Sequence, residues 1–268
     1  MKIALIVSQK DIAGINTKEE LLRLFSFKRL NEKFENNFIY EFNNIILYTT
    51  NKDSVDCENV DKKIEADIFV FATKHKSESG IPSLSVHAVG NWGKAELGGK
   101  DKKLCVAPAF YLKEALMHLE EYNTIGFDVV QECTHHGPYI EKPAMFIEIG
   151  SSEKEWGKKE AATIIAKTII DIFSKEPSFY KTAFGVGGLH TTPNFKKIML
   201  KTDIAVGHIC PKYQLQNLTE ELIKEAIKKT EPIAEFVILD WKGLGDYKTK
   251  IVGMLNNLKI NFIKTSNF

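Results

Sequence analysis

From end to end, short runs rich in Val, Ile and Phe alternate with segments in which apolar residues recur at every third or fourth position. This pattern is what most constrains the fold of the chain. The first kind of segment fits a strand buried on both faces, and the second a helix with one face to cover, so the two together require a layered α/β arrangement. Strands are predicted at 2–8, 45–50, 67–72, 83–89, 127–132, 144–149, 182–186, 203–207, 235–239 and 260–263, and helices at 17–30, 110–122, 155–173, 219–229 and 246–256. Thr17 and Glu20 stand at capping-box spacing and set the expected start of the first helix. No repeat, low-complexity tract or Pro/Ser-rich linker divides the chain. The expectation is therefore a single three-layer α/β domain over 1–268, a mostly parallel or mixed sheet flanked by helices.

A length of 268 residues at 44% hydrophobic content supplies one large core and excludes disordered and fibrous classes. Thirty-six Lys and Arg balance 35 Asp and Glu, so no global positive field marks the chain for nucleic acid, and any RNA contact has to come from local lysine clusters. No apolar run approaches the ~18 residues that span a bilayer, and the opening MKIALIVSQKD is a buried strand in this reading, not a signal peptide. Cys57, Cys105, Cys133 and Cys210 are far apart and lack CxxC spacing, which favours reduced thiols. These features together lead us to expect a cytoplasmic protein with no membrane association. A monomer is expected because no heptad or long exposed apolar stripe suggests an interface.

The histidines carry the chemistry. His118 sits in a plain helical segment; the others end strands or open loops, beside glycine, proline or small polar residues: His75 in ATKHKSESG, His87 in LSVHAVGNWG, His135 and His136 in ECTHHGP, His190 in GVGGLHTTPNF and His208 in AVGHICPKY. Strand ends leading into loops are where α/β folds assemble sites. A lone histidine there is more often a surface or hydrogen-bonded residue, but five such segments in one chain point to convergence. With Glu132 and Cys133 nearby, several imidazoles build a metal site or a proton-transfer site. The spacing matches neither HExxH nor a zinc finger. In ECTHHGP an apolar strand delivers Glu132, His135 and His136 into a loop stopped by Gly137 and Pro138, and adjacent histidines in a strand would face opposite ways.

Glycine-bearing segments at Gly90–Trp92–Gly93, Gly98–Gly99 and Gly187–Gly188 let backbone amides approach a phosphate or an oxyanion, unless they are only tight turns. Lysines cluster beside them, among them Lys74, Lys94 and Lys212, as candidates for phosphate contacts. Trp92 and Tyr213 are either base-stacking residues or core.

Taken in order along the chain, TKHKSESGIPSLSVHAVGNWG, GFDVVQECTHHGP, the 144–150 strand followed by SSEKEW, GVGGLHTTPNF and GHICPKY resemble the archaeal and plant D-aminoacyl-tRNA deacylase family, over about 1–218. The resemblance implies hydrolysis of the ester between a D-amino acid and the terminal ribose of tRNA, bound zinc, and a fold related to peptidyl-tRNA hydrolases and nucleoside phosphorylases.

The expected site has Glu132, His87, His135 and His136 as catalytic residues, and zinc held by a subset of His87, His135, His136, His190 and His208. Such an ion acidifies water, Glu132 moves a proton, and amides of Gly90, Gly187 or Gly188 meet the oxyanion. Lys74, His75, Trp92, Lys94 and Lys212 contact the substrate. Two alternatives use the same loops: a metal-free mechanism with a histidine base, and a zinc-dependent hydrolase or phosphorylase of a small nucleoside or peptide. A non-catalytic RNA-binding module gives no reason for five histidine loops.

Overall fold

The fold is that of a computed structural model describing residues 1–268. Its strands are β1 (Ile3–Ser8), β2 (Lys28–Phe34), β3 (Asn37–Phe42), β4 (Ile45–Thr50), β5 (Ile68–Lys76), β6 (Ser83–Ala88), β7 (Ala107–Pro108), β8 (Asp128–Gln131), β9 (Ala144–Ser151), β10 (Lys181–Val186), β11 (Ile204–Cys210), β12 (Thr230–Glu231), β13 (Phe236–Leu239) and β14 (Phe262–Lys264). The helices are α1 (Ile12–Leu24), α2 (Ala109–Tyr122), α3 (Glu153–Trp156), α4 (Lys159–Ser174), α5 (Pro193–Lys201), α6 (Glu220–Lys228) and α7 (Lys248–Asn257). The α/β class is as expected, but the strands divide between sheets. Eight form a mixed sheet in the order β2-β3-β4-β1-β5-β9-β6-β8, and four form a parallel sheet in the order β11-β10-β13-β14.

Side chains alternate across the large sheet and so sort its two faces. Ile3, Leu5 and Val7, Val70 and Ala72, Leu84 and Val86, and Met145, Ile147 and Ile149 belong to the main core, shared with α1, α2 and α4. The opposite face begins apolar, with Ala4, Ile6, Phe69, Phe71 and Phe146. It turns polar toward the β5 end, where the register aligns Thr73 with Glu148, and Glu148 with Ser85. The small sheet packs one face toward the same core through Ala183, Val206 and Ile238, and the other on α6 and α7 through Phe184, Val186, Val237 and Leu239. Lys113 of α2 ties the two sheets: its buried ammonium donates to the carbonyls of Met199, Thr202 and Ile204, at the end of α5 and the start of β11. Burial pushes that ammonium down to about 8.

Three expectations change. The first helix starts at Ile12, not Thr17, because the carboxylate of Asp11 accepts from the amides of Ala13 (2.9 Å) and Gly14 (3.1 Å), while Thr17 is buried inside the helix. Residues 28–42, given only the end of that helix in the sequence reading, form the β2–β3 hairpin, in which β2 is mostly polar and exposed and the aromatic-rich β3, Asn37–Phe42, is missed. The helix expected at 155–173 is broken at Gly157 into α3 and α4.

Asp11 also accepts from the Thr73 hydroxyl and the Lys74 amide (2.8 Å), so one buried carboxylate caps α1 and anchors the end of β5. Asp11→Ala is expected to cost about 2–4 kcal/mol, the sum of a lost N-cap and hydrogen bonds to a charged group, measured by urea unfolding; a loss below about 0.5 kcal/mol would show that the cap is not needed.

Candidate active site

The polar half of the second sheet face is where the histidines meet. Its outward period places Thr73 and His75 on β5, Glu148 and Gly150 on β9, Ser85 and His87 on β6, and Glu132 just beyond β8 on one surface. His75 needs Gly150 as its neighbour: a Cβ there would stand 2.5 Å from Ser83 Oγ and 3.0 Å from His75 Cδ2. The segment after β8 then crosses to the small sheet, with the Cys133 amide donating to His190 O (2.9 Å) and the Thr134 amide to Ile209 O (3.0 Å). This crossing brings His190 against residues of the large sheet.

His135 and His136 do not face opposite ways. His136 adopts a positive φ of 44°, and both rings turn toward His87, with centroids 4.2 Å and 4.8 Å from it. Each of the three imidazoles has its Nδ1 next to a backbone carbonyl: His87 on Ala88 O (3.0 Å), His135 on Cys133 O (2.8 Å) and His136 on Gly137 O (2.7 Å). Those partners assign the proton to Nδ1 and leave Nε2 with its lone pair, an acceptor or metal ligand. His87 Nε2 is buried without a hydrogen-bond partner, and one donor atom from each of the three histidines lies within 4.8 Å of the others. Burial, reinforced by the neighbouring imidazoles, holds His135 well below its ordinary value and His136 at about 4.

Beside this trio two carboxylates are almost fully buried. Glu148 lies 3.3 Å from His75 Nδ1 and 3.7 Å from His87 Nε2; Glu132 lies 3.1 Å from His190 Nε2, 3.3 Å from His75 Nδ1 and 3.6 Å from His135 Nε2. Burial alone would raise both, but the surrounding imidazoles outweigh it and hold both below the usual carboxylate range. The reciprocal effect, also working against burial, raises His75, and Cys133 and Glu132 raise His190 to about 10. Tyr213 completes the edge, its hydroxyl 3.2 Å from His190 Nδ1 and 3.4 Å from Cys133 Sγ.

Two clefts open on this cluster and share His75, Lys76 and His190 at their junction. One, of about 800 Å³, is lined by Lys76, Ser77, Ser83, Asp128, Thr191 and others; the second, of about 560 Å³, by Asp53, Val55, Lys74, Leu97 and Phe146 among others, and it reaches His135, His136 and Glu148. The structure thus gathers His75, His87, Glu132, His135, His136 and His190, with Lys74 on the wall.

Other expected site residues lie elsewhere. His208 leaves the ligand set because both ring nitrogens are occupied, Nδ1 by the Thr134 hydroxyl (3.1 Å) and Nε2 by Cys105 O (3.0 Å). Trp92 is a core residue, 2% exposed, with its indole N–H on Thr134 O (3.0 Å). The Gly90 amide donates to His136 O (2.9 Å) and the Gly187 amide to Cys210 O (2.8 Å), so neither is free for an oxyanion. Gly188 packs against Asp240 and Gly243, and Lys94 and Lys212 are exposed and line neither cleft. Glu148 is the site residue that the sequence reading missed. Its signal is a lone carboxylate in the otherwise apolar AMFIEIG run.

A D-aminoacyl-tRNA deacylase family model matches residues 62–263. The chain is 39% identical to the D-aminoacyl-tRNA deacylase of Pyrococcus furiosus, an alignment covering 98% of this chain and 100% of that one, and 34% identical to that of Archaeoglobus fulgidus, covering 92% and 90%. The chain belongs to the D-aminoacyl-tRNA deacylase family. Its fold agrees: the crystal structure of a conserved protein of unknown function superposes with a TM-score of 0.90 at 32% identity, covering 99% of this chain and 96% of that one. The matched span runs from before β5 to within β14, so it takes in β5, β6, β8 and β9 of the large sheet and the strands of the small one.

His208 supplies a test of the buried framework. Desolvation lowers it to about 3, so the unfolded chain takes up a proton there at a higher pH than the folded one. Its contribution is complete above about pH 6.5 and is lost as pH falls toward 3, at up to about 1.4 kcal/mol per pH unit. His208→Gln is expected to flatten the fall in unfolding free energy between pH 6 and 4; an unchanged slope would mean that His208 titrates normally in the folded state. At the cluster itself, Gly150→Ala is expected to cost about 1–3 kcal/mol of stability through overpacking and, in protein that is still folded at the assay temperature, to lower turnover at least ten-fold, because the added methyl displaces His75; full activity in that variant would remove His75 from the site.

Proposed function

We infer that this chain is a deacylase that hydrolyses the ester bond of D-aminoacyl-tRNA, releasing the free D-amino acid and tRNA, and that residues 1–268 act as one unit. Family membership carries the reaction, and the paired clefts support it sterically: an ester placed at the His75–His190 junction leaves room for the acyl group on one side and the terminal nucleoside on the other. We further propose that His87, His135 and His136 hold zinc. The donor set fits, because three imidazoles, each oriented through Nδ1 by a carbonyl, bring one donor atom apiece within 4.8 Å of one another, and His87 Nε2 is otherwise buried without a partner. Zinc there supplies Lewis acidity that polarises a carbonyl and acidifies water.

The chain's own residues do the remaining work. Glu132, held ionised between His75 and His190, is placed to accept a proton from the attacking water, and His190, at the cleft junction, to hold a proton on Nε2 for the departing ribose oxygen. Glu148 fixes His75 and keeps His87 in register. Cys133, His190 and Glu132 line up as thiol, imidazole and carboxylate, but Cys133 is 0% exposed, so the acyl carbon does not reach its sulfur. That burial argues against a thioester route.

Amino acid release from D-tyrosyl-tRNA and L-tyrosyl-tRNA tests both parts. We expect turnover of the D form alone, lost on chelation, restored by zinc, and accompanied by zinc in the isolated protein that falls when His87 is changed to Ala. Full D-specific activity in metal-free protein would overturn the zinc proposal, and equal turnover of both esters, or of neither, the deacylase reading.

A further inference from the structure

The parallel small sheet sends all of its strand ends to one edge. His190 follows β10, Lys212 and Tyr213 follow β11, Trp241 and Lys242 follow β13, and Lys264 ends β14. The carboxyl edge of a parallel sheet is where such folds meet ligands. Here the loops are pressed into one surface: the Lys212 amide donates to Gly188 O (2.9 Å), the Asp240 amide to Val186 O (2.9 Å), and a Cβ on Gly243 would stand 2.3 Å from the Gly188 nitrogen. Tyr213, half exposed and bonded to His190, joins that surface to the catalytic clefts.

The chain is near neutral overall, yet this edge is not. Lys212, Lys242, Lys248, Lys250 and Lys264 gather there, and none of the five has a carboxylate within ion-pair distance, unlike Lys62, Lys196 and Lys229. Several are held in place without being neutralised. The Trp241 ring has the ammonium of Lys264 3.9 Å and that of Lys248 5.4 Å from its centroid, and Lys250 donates to the carbonyls of Leu215 and Gln216. Gly245 leaves the space that the Lys212 stem occupies, 3.2 Å from where a Cβ would be. Asp240, the nearby buried acid, is engaged by Asn194, and Asp246 is the exposed one.

We propose that this lysine face around Trp241 is the docking surface for the phosphate backbone of the tRNA acceptor arm, a proposal that rests on the deacylase reading for the identity of the RNA. Unpaired cations pre-positioned by an aromatic ring and backbone carbonyls match a line of phosphates, and the face continues into the clefts where the charged 3′ end must lie. Contacts of this kind set register and affinity without reading sequence.

The test compares the native chain with Lys248→Ala/Lys264→Ala and with the charge-keeping Lys248→Arg/Lys264→Arg. Three quantities are measured: the Kd for uncharged tRNA over a salt series, kcat/KM on D-tyrosyl-tRNA, and hydrolysis of 3′-O-D-tyrosyl-adenosine. The alanine pair is expected to raise Kd and lower kcat/KM on the tRNA ester about ten-fold, to reduce the salt slope by about one to two, and to leave the adenosine ester unchanged; the arginine pair restores the native values. An unchanged Kd and salt slope overturns the docking surface, as does an equal loss on both esters, which would mean that the lysines support the site itself. If the native chain hydrolyses neither ester, the deacylase reading fails, and the binding and salt series alone decide whether RNA crosses this face.

Discussion

Two carboxylates, Glu132 and Glu148, are buried to 1% and 2% exposure close enough to share a ligand group with His87. Buried like charges repel strongly and lose hydration, so this arrangement exists only because opposing groups surround it. His75 lies between both carboxylates, His190 closes on Glu132 from the small sheet, and His87, His135 and His136 ring the remaining side. The site is therefore an electrostatic unit in which removing one member leaves others uncompensated. Such interdependence is the usual mark of a functional centre rather than of a stabilising one.

The same sheet face does two jobs. Where strands run under the 53–64 segment it is Phe69, Phe71 and Phe146; two residues further along it becomes Thr73 and Glu148, then His75, while the reverse face stays apolar through Ala72 and Ile149. That division lets a rigid core hold His75, His87 and Glu148 on strands, and the segments that carry Glu132, His135, His136 and His190 start directly from strand ends. Asp11 reinforces the end of β5 from beneath, where a helix cap and a strand anchor are one residue.

The small sheet contributes what the large one lacks. Its loops bring His190 and Tyr213 to the cluster and carry the unpaired lysines away from it along one edge, so that chemistry and backbone recognition lie on adjoining surfaces. The crossing segment 131–136 joins the two sheets through Thr192 Oγ1 on Gln131 O, the Cys133 amide on His190 O and Thr134 on Ile209 and His208, and it fixes their relation at the site.

Alternation of apolar runs and helical periods determined the α/β class and most strands, because burial on one or two faces leaves a direct imprint on residue order. The histidine-bearing segments and their order identified the family. Other features left no such imprint. The polar strand β2 looks like loop; Glu148 sits in an apolar run, where only the pairing of β9 with β5 brings it within reach of His75; and His208 and His190 occupy similar glycine-flanked settings although one is sealed among buried partners and the other faces the clefts. The convergence of His135 and His136 depended on a single positive φ, and the basic edge on three strand ends brought side by side in the small sheet. Residue order encodes what each segment buries; which side chains meet is set by register and by the packing of one sheet on the other.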